Sequence, residues 1–566
     1  MKSGRDVLLR TIRTQRRLLV TGSVLTSGHQ AGEALVPVLI GVAIDQGVAG
    51  ADWGRLGWWL LVLALVYVGL SLSYRHGARA GERAAQEAAH DLRLQVVGRV
   101  LHPRGGADAD RLPGELANIA TEDVRRVGAV LVAVMAGAAA LAGLVVATVV
   151  LLRMSVPLGL IVLAGVPALL WLGHALSKPL ERRSEVEQER AAHASGMAAD
   201  LVAGLRVLKG IGAGAAAVAR YRRTSRDSLE ATLRSARAEA VQNGVVLALT
   251  GVFVALLVLV GGRFAADGTI TLGQLVSLVG LALFLQGPLQ LFAWVNAELA
   301  QGRASAARVG VLLSAPHAVP GGSRALPERV EGALRLRAVT HGGLRGLDLD
   351  VAPGEFVGVA SADPAQAEAL LRCLARHADP EEGTVELDGL PLRDLDPAGL
   401  RAAVLVAEHD AILFEGTLLS NVTPPAPLRA GPTVGPTVGA AMAAASADEV
   451  AGSLPLGADT PVGERGNTLS GGQRQRVALA RALAAERPVL VLHDPTTAVD
   501  AVTEQRIAAG IRRLRQGRTT IVVTTSPALL AVADRVVLLE HGRASAAASH
   551  ADLLEHNPSY RAAVLA

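Results

Sequence analysis

The sequence predicts a six-helix membrane domain followed by an α/β domain, and three observations carry that fold class. Five stretches, at 56–74, 127–152, 154–177, 240–262 and 268–297, contain no Asp, Glu, Lys or Arg. Each is near or above the roughly 18 to 20 residues that cross a bilayer as a helix. The composition agrees: 51% of the 566 residues are hydrophobic and only 19% are charged, which excludes a purely soluble enzyme. From about residue 326 the pattern changes to short apolar strands alternating with helical segments. Cys373 is the lone cysteine, so no intrachain disulfide framework is possible. The net charge of +4 is too small to argue for nucleic acid, and basic residues at the edges of spans explain it.

We assign 1–314 to the membrane domain, with spans at about 18–44, 56–74, 127–152, 155–177, 241–262 and 271–295. The first span is read as helical although it contains His29 and Glu33. The tail before it carries Arg5, Arg10, Arg13, Arg16 and Arg17 and should stay on the cytoplasmic side. Six spans then return the chain to that side. The connections after spans 2 and 4, at 75–126 and 178–239, are long and rich in Arg and Glu. They read as helices running well beyond the membrane with solvated charged faces, and the periodicity through 187–223 favours long helices over soluble loops there. Gly105-Gly106 and Pro113-Gly114 should interrupt the first connection. Pro, Gly and small residues make 315–330 a linker, and 331–566 forms the α/β domain.

One motif in that domain carries most of the chemistry. Leu469-Ser470-Gly471-Gly472-Gln473-Arg474-Gln475-Arg476 precedes an Ala-rich helix. It offers a hydroxyl and closely spaced glycine N–H groups at a helix N-terminus, which is what a terminal phosphate requires. An apolar strand and Pro495-Thr496-Thr497-Ala498-Val499-Asp500 follow at short range. Here the chain resembles the nucleotide-binding domain of ATP-binding cassette (ABC) transporters, and its whole length resembles an exporter-type, type IV half-transporter. Gly114-Glu115-Leu116, Glu122-Asp123-Val124 and 201–210 resemble the cytoplasmic loop regions of that class, and Glu464-Arg465-Gly466 resembles the short loop ahead of the signature.

The departures from the family pattern all point one way. A phosphate-binding loop reads G-x-x-x-x-G-K-[ST] between a strand and a helix. The loop here reads Ser361-Ala362-Asp363-Pro364-Ala365-Gln366-Ala367-Glu368. Ser361 and Gln366 stand where glycines belong, Ala367 where the lysine belongs, and Glu368 where a hydroxyl would hold magnesium. Pro364 removes a backbone N–H, and Asp363 and Glu368 add negative charge. Like charges about 4 Å apart repel by several kcal/mol at intermediate dielectric. The next strand should end in a magnesium Asp and a catalytic Glu, but ends in His493 and Asp494. His493 suits magnesium poorly, since that hard cation prefers oxygen. The resemblance places His409 at the coupling glutamine and Thr525 at the switch histidine, and leaves only His341 near the position of the adenine-stacking aromatic. No metal-ligand spacing connects the histidines, so no metal site is predicted.

In this family two domains pair head to tail, so that each ATP lies between one chain's phosphate loop and the other chain's signature. The resemblance therefore implies a heterodimeric exporter in which this chain is the degenerate subunit and has no catalytic residue in its own site. A second half-transporter with intact ATP-binding motifs would hold most of the ATP and magnesium. Leu469, Ser470, Gly471, Gly472 and Gln473 would reach that ATP in trans, and Asp500 would lie in the loop between the two sites. The chain alone should not hydrolyse ATP. The expected setting is a bacterial-type inner membrane, multi-pass and in contact with lipid, with the N-terminus and the nucleotide-binding domain cytoplasmic. The cargo is open. His29 and Glu33, four residues apart on one helix face, are candidate cargo contacts or an interhelical hydrogen-bond pair. Two other readings stay open: an importer on the exporter fold, and a non-transporting regulator or scaffold.

Overall fold

The structure is a computed structural model describing residues 3–109, 111–409, 412–424 and 438–565, with the side chains of 170, 173–186, 188, 192, 203, 206 and 293 not described. The chain divides into two compact units, Met1–Gly98 with Arg111–Ser314, and Arg99–Asp110 with Ala315–Ala566.

The first unit is helical. Among the described residues, Arg16–Val48, Trp53–Val100, Pro113–Met154, Gly214–Ala266 and Leu272–Ser314 are long and apolar enough to cross a membrane, and Val156–Leu169 is a shorter apolar helix stretch. Helices in lipid lack a hydrophobic drive to associate, so small residues that allow close backbone approach hold them together. Gly41 and Gly273 show why. A Cβ on either would stand 2.2 or 2.0 Å from the other's carbonyl oxygen. Beside them, Asp45 accepts hydrogen bonds from the Thr271 hydroxyl and from Gly273 N at 2.8 Å, tying a carboxylate to the positive start of helix Leu272–Phe284. The last span breaks at Leu285, between Leu272–Phe284 and Gln286–Ser314 and just ahead of Gln286-Gly287-Pro288. A second polar lock lies at Asp123, which is 1% exposed and accepts from Ser305 Oγ and Arg308 Nε, both at 2.8 Å.

The long helices expected over 187–223 form, with a break between them that the sequence pattern does not place. Val156–Ala203 stops at Gly204, a short helix Leu205–Gly210 follows, and Gly214–Ala266 restarts after Gly212 at φ +69°. Three glycines within nine residues explain the interruption, because glycine weakens a helix and adopts left-handed φ freely. The arginine and glutamate periodicity carried no information about that break.

The second unit holds two sheets. Six strands order as Arg543–Ala548, Arg535–Glu540, Phe356–Ser361, Thr519–Val523, Val489–His493 and Val404–Ala407. All neighbours are parallel except the antiparallel edge strand Arg543–Ala548. Phe356–Ser361, Val489–His493 and Thr519–Val523 are buried along nearly their whole length, as parallel strands covered on both faces must be, and their apolar runs reflect it. An antiparallel sheet of Leu344–Val351, Leu334–His341, Glu382–Leu387 and Leu390–Pro391 packs through Leu336, Leu347 and Leu349 onto Leu370 and Leu374 in one shared core. Helices Gly471–Ala484 and Ala501–Leu514 contribute Val477, Leu483, Ile507 and Ile511 to a second core with Phe356 and Leu490. Arg515, buried among these elements, donates to the carbonyls of Arg487, Pro488 and Thr519 and to the Thr520 hydroxyl, and burial pulls its guanidinium down to about 9. This topology gathers the carboxyl ends of the parallel strands along one sheet edge, where ligands bind in open α/β sheets. Ser361, Ala407, His493 and Val523 all lie at those ends.

Candidate nucleotide site

The phosphate loop is closed by its own side chains. Helix Pro364–Leu374 begins with Pro364 at its first position and Asp363 as its N-cap. Asp363 Oδ1 accepts from Ala365 N at 2.9 Å, and Oδ2 accepts from Gln366 Nε2 at 3.1 Å. Ser361 Oγ donates to Asp363 O at 3.1 Å and accepts from Asp363 N at 3.3 Å. Gln366 is buried, and its Oε1 accepts from Gly542 N at 3.2 Å. A carboxylate therefore satisfies the helix N-terminus that would otherwise receive phosphate. Ala367 is buried in the core and carries no cation to the loop. Glu368 is exposed and faces Arg372 one turn along the helix, at 3.9 Å. At this loop Asp363 engages the helix N-terminus, alanine stands where a lysine would, and Asp363 and Glu368 make the local charge negative.

The other substituted positions meet at the neighbouring strand ends. His409 follows strand Val404–Ala407 and His493 ends Val489–His493, and their Nδ1 atoms lie 3.4 Å apart. The rings are nearly perpendicular, with centroids 5.0 Å apart. His493 Nε2 faces Asp494 Oδ2 at 3.7 Å. Burial pushes His493 below the usual imidazole range, although the charge of Asp494 opposes this. Asp494 stands at φ +40°, a left-handed conformation that costs energy for any residue with a side chain. Thr525 is partly buried beyond strand Thr519–Val523, and His341 faces Glu381 at 3.5 Å.

The signature is built differently. Ser470 caps helix Gly471–Ala484 through a capping box: its hydroxyl accepts from Gln473 N at 3.3 Å, and Gln473 Oε1 accepts from Ser470 N at 2.9 Å. Leu469 is buried beneath it, whereas Ser470 and Gly471 are exposed. Gly472 lies against the following loop so closely that a Cβ would stand 2.4 Å from Ala498 O. Asp500 caps helix Ala501–Leu514 by accepting from Thr503 N at 3.0 Å, and the Thr503 bonds hold its carboxyl below the usual range. Asp500 is thus engaged within its own chain.

Gln475 is a positioning residue to which the sequence alone gave no role. Its Nε2 donates to Asp494 O at 2.9 Å and Thr497 Oγ1 at 3.0 Å, while its Oε1 accepts from Ala498 N at 2.9 Å. It fastens the strand end and the 495–500 loop to the signature helix. Its spacing, on the helix face that also presents Gly471, was the available signal. The candidate cargo pair lies in the other unit. There the His29 ring nitrogen Nδ1 bonds Leu70 O at 2.9 Å, its Nε2 lies 3.9 Å from Glu33 Oε2, and the ring lies tilted against Tyr74 with centroids 5.2 Å apart.

Comparison with known proteins gives a consistent assignment. Residues 19–289 match the family described as the ABC transporter transmembrane region, and 344–497 match the family described as ABC transporter. The chain is 30% identical to an ATP-dependent lipid A-core flippase of Thiobacillus denitrificans, over 96% of this chain and 94% of that one. It is also 30% identical to a multidrug efflux ATP-binding/permease protein of Mycobacterium tuberculosis, over 96% of this chain but 46% of that longer protein. A bacterial Atm1-family ABC exporter solved with ATP bound superposes with a TM-score of 0.73 at 25% identity, covering 98% of each chain. With both domains matched in order and nearly the whole length aligned, the chain belongs to the ABC transporter family, as a multi-pass membrane half-transporter of the exporter fold.

Proposed function

We propose that this chain is the degenerate half of a heterodimeric exporter. It supplies its signature to an ATP held by the partner and hydrolyses none at its own phosphate loop. The observation that carries this reading is the contrast between two helix N-termini in one domain. At Pro364–Leu374 the N-terminus is occupied by Asp363, and the loop lacks lysine. At Gly471–Ala484 the start is exposed, glycine-rich and held in shape by a capping box that leaves Gly471 clear. One has lost its affinity for phosphate and the other has kept it. A regulator that had abandoned ATP chemistry would have no reason to keep the second intact.

In this account the N-terminus and the nucleotide-binding domain are cytoplasmic, and ATP with magnesium is supplied mainly through the partner. The cargo is an amphipathic small molecule, peptide or lipid. The relatives named as a lipid A-core flippase and a multidrug efflux protein support that class. His29 and Glu33 are the proposed polar contacts for it, and Glu33 is the more exposed of the two. The test is co-expression with a half-transporter that carries intact ATP-binding motifs. Stable co-purification and ATP hydrolysis by the pair, with none by this chain alone, is the expected result. Robust hydrolysis by the isolated chain overturns the proposal.

A further inference from the structure

His409 and His493 are 84 positions apart in sequence, yet their Nδ1 atoms approach to 3.4 Å. Both positions carry oxygen donors in the family pattern, and both now carry imidazole. An N–H···N contact of this length is long, since hydrogen bonds from nitrogen cluster near about 2.9–3.0 Å. The same separation also suits another arrangement. Two imidazole nitrogens bound to one tetrahedral cation at about 2.0–2.1 Å stand about 3.3–3.4 Å apart.

We propose that His409 and His493 form an open two-imidazole site for a borderline divalent cation such as Zn²⁺, Co²⁺ or Ni²⁺. Imidazole selects these ions over magnesium. With Nδ1 turned to the cation, His493 Nε2 lies 3.7 Å from the Asp494 carboxylate, a charge positioned to favour the bound ion. Among the described residues no group of three His, Cys, Asp or Glu side chains forms a ligand set. The remaining positions are therefore left to water, and binding is weaker than at a closed four-ligand site. A bound cation would bridge the loop after Val404–Ala407 to the end of Val489–His493, stapling two segments that substrate nucleotide no longer orders. The inference rests on the reading that this edge has given up magnesium-ATP, but its test uses no nucleotide.

The experiment is a Co²⁺ titration of the full-length chain, with affinity tags removed, followed by visible absorption. A ligand-field band saturating at one Co²⁺ per chain is expected, and it should be lost in His409→Ala and in His493→Ala. His409 lies on an exposed loop, so His409→Ala should remain folded, and a Zn²⁺-induced rise in melting temperature should vanish in it as well. No band, or a band that survives either substitution at full intensity, overturns the proposal. ATP hydrolysis by the isolated chain would instead overturn the degenerate-site reading and leave the cobalt result standing.

Discussion

Two adjacent glycines in the signature allow its structural and functional roles to be separated. A Cβ added at Gly472 would stand 2.4 Å from Ala498 O, about 1 Å inside normal contact, and that neighbour is backbone. Overpacking of this kind costs about 1–3 kcal/mol. In a domain of this size it should lower the melting temperature by about 2–12 °C. A Cβ added at Gly471 would instead meet Ala498 Cβ at 3.7 Å, an ordinary contact, and its φ is not left-handed. Gly471→Ala should therefore leave stability unchanged or raise it by up to about 1 kcal/mol, because alanine favours the helix. If the start of the signature helix at 471–472 receives the partner's ATP, that methyl sits where the terminal phosphate must approach. A loss of only about 1.4 kcal/mol there is tenfold in rate. The assay is ATP turnover by the reconstituted pair beside a melting curve of each variant. We expect Gly471→Ala to melt like wild type and turn over at least tenfold more slowly, and Gly472→Ala to lose both. Full turnover in Gly471→Ala would refute the trans role of the signature, since nothing within this chain opposes the methyl.

Three further outcomes follow from the same geometry. Asp363→Ala should remove an N-cap, costing about 1 kcal/mol, and should not create ATP binding because no lysine replaces it; melting curves and a fluorescent nucleotide check both parts. Burial pushes the Cys373 thiol up to about 11, so a thiol reagent at pH 8 should label it slowly in the native chain and quickly in denaturant. The Arg512 guanidinium holds the Asp534 carboxyl below its usual range, with burial opposing and Phe356 N also donating. A depressed carboxyl pKa adds stability that is present above the ordinary Asp value and is lost as pH falls through the folded value. The gap in melting temperature between wild type and Asp534→Asn should accordingly narrow below about pH 4.

Much of this was legible in the sequence, for identifiable reasons. Charge-free runs reveal spans because lipid tolerates no ionised group cheaply, and the apolar run 489–492 reveals a strand because a doubly covered strand has no polar face. The signature was legible because its chemistry is local: a cap, two glycines and a helix. The closing of the phosphate loop was half legible. Asp363-Pro364 is an N-cap followed by a proline suited to the first helical turn, yet the sequence suggested only the added charge and the lost N–H. What the sequence hid is long-range or negative. The meeting of His409 with His493 depends on strand order, and the pairing of Asp123 with Arg308 spans 185 positions. The helix breaks at Gly204 and Gly212 sit beneath a charged periodicity that continues across them. Gln475 looked like one polar residue among several until the loop it fastens was in place.

The central claim is that the two nucleotide positions of the assembled transporter are unequal, with this chain giving a signature and receiving no ATP. Photolabelling of the pair with radioactive 8-azido-ATP under hydrolysis-trapping conditions reads that directly. The account predicts label on the partner chain, at one trapped nucleotide per two chains, lost when Gly471 of this chain becomes Ala. Label trapped on this chain, at its own phosphate loop, would contradict it.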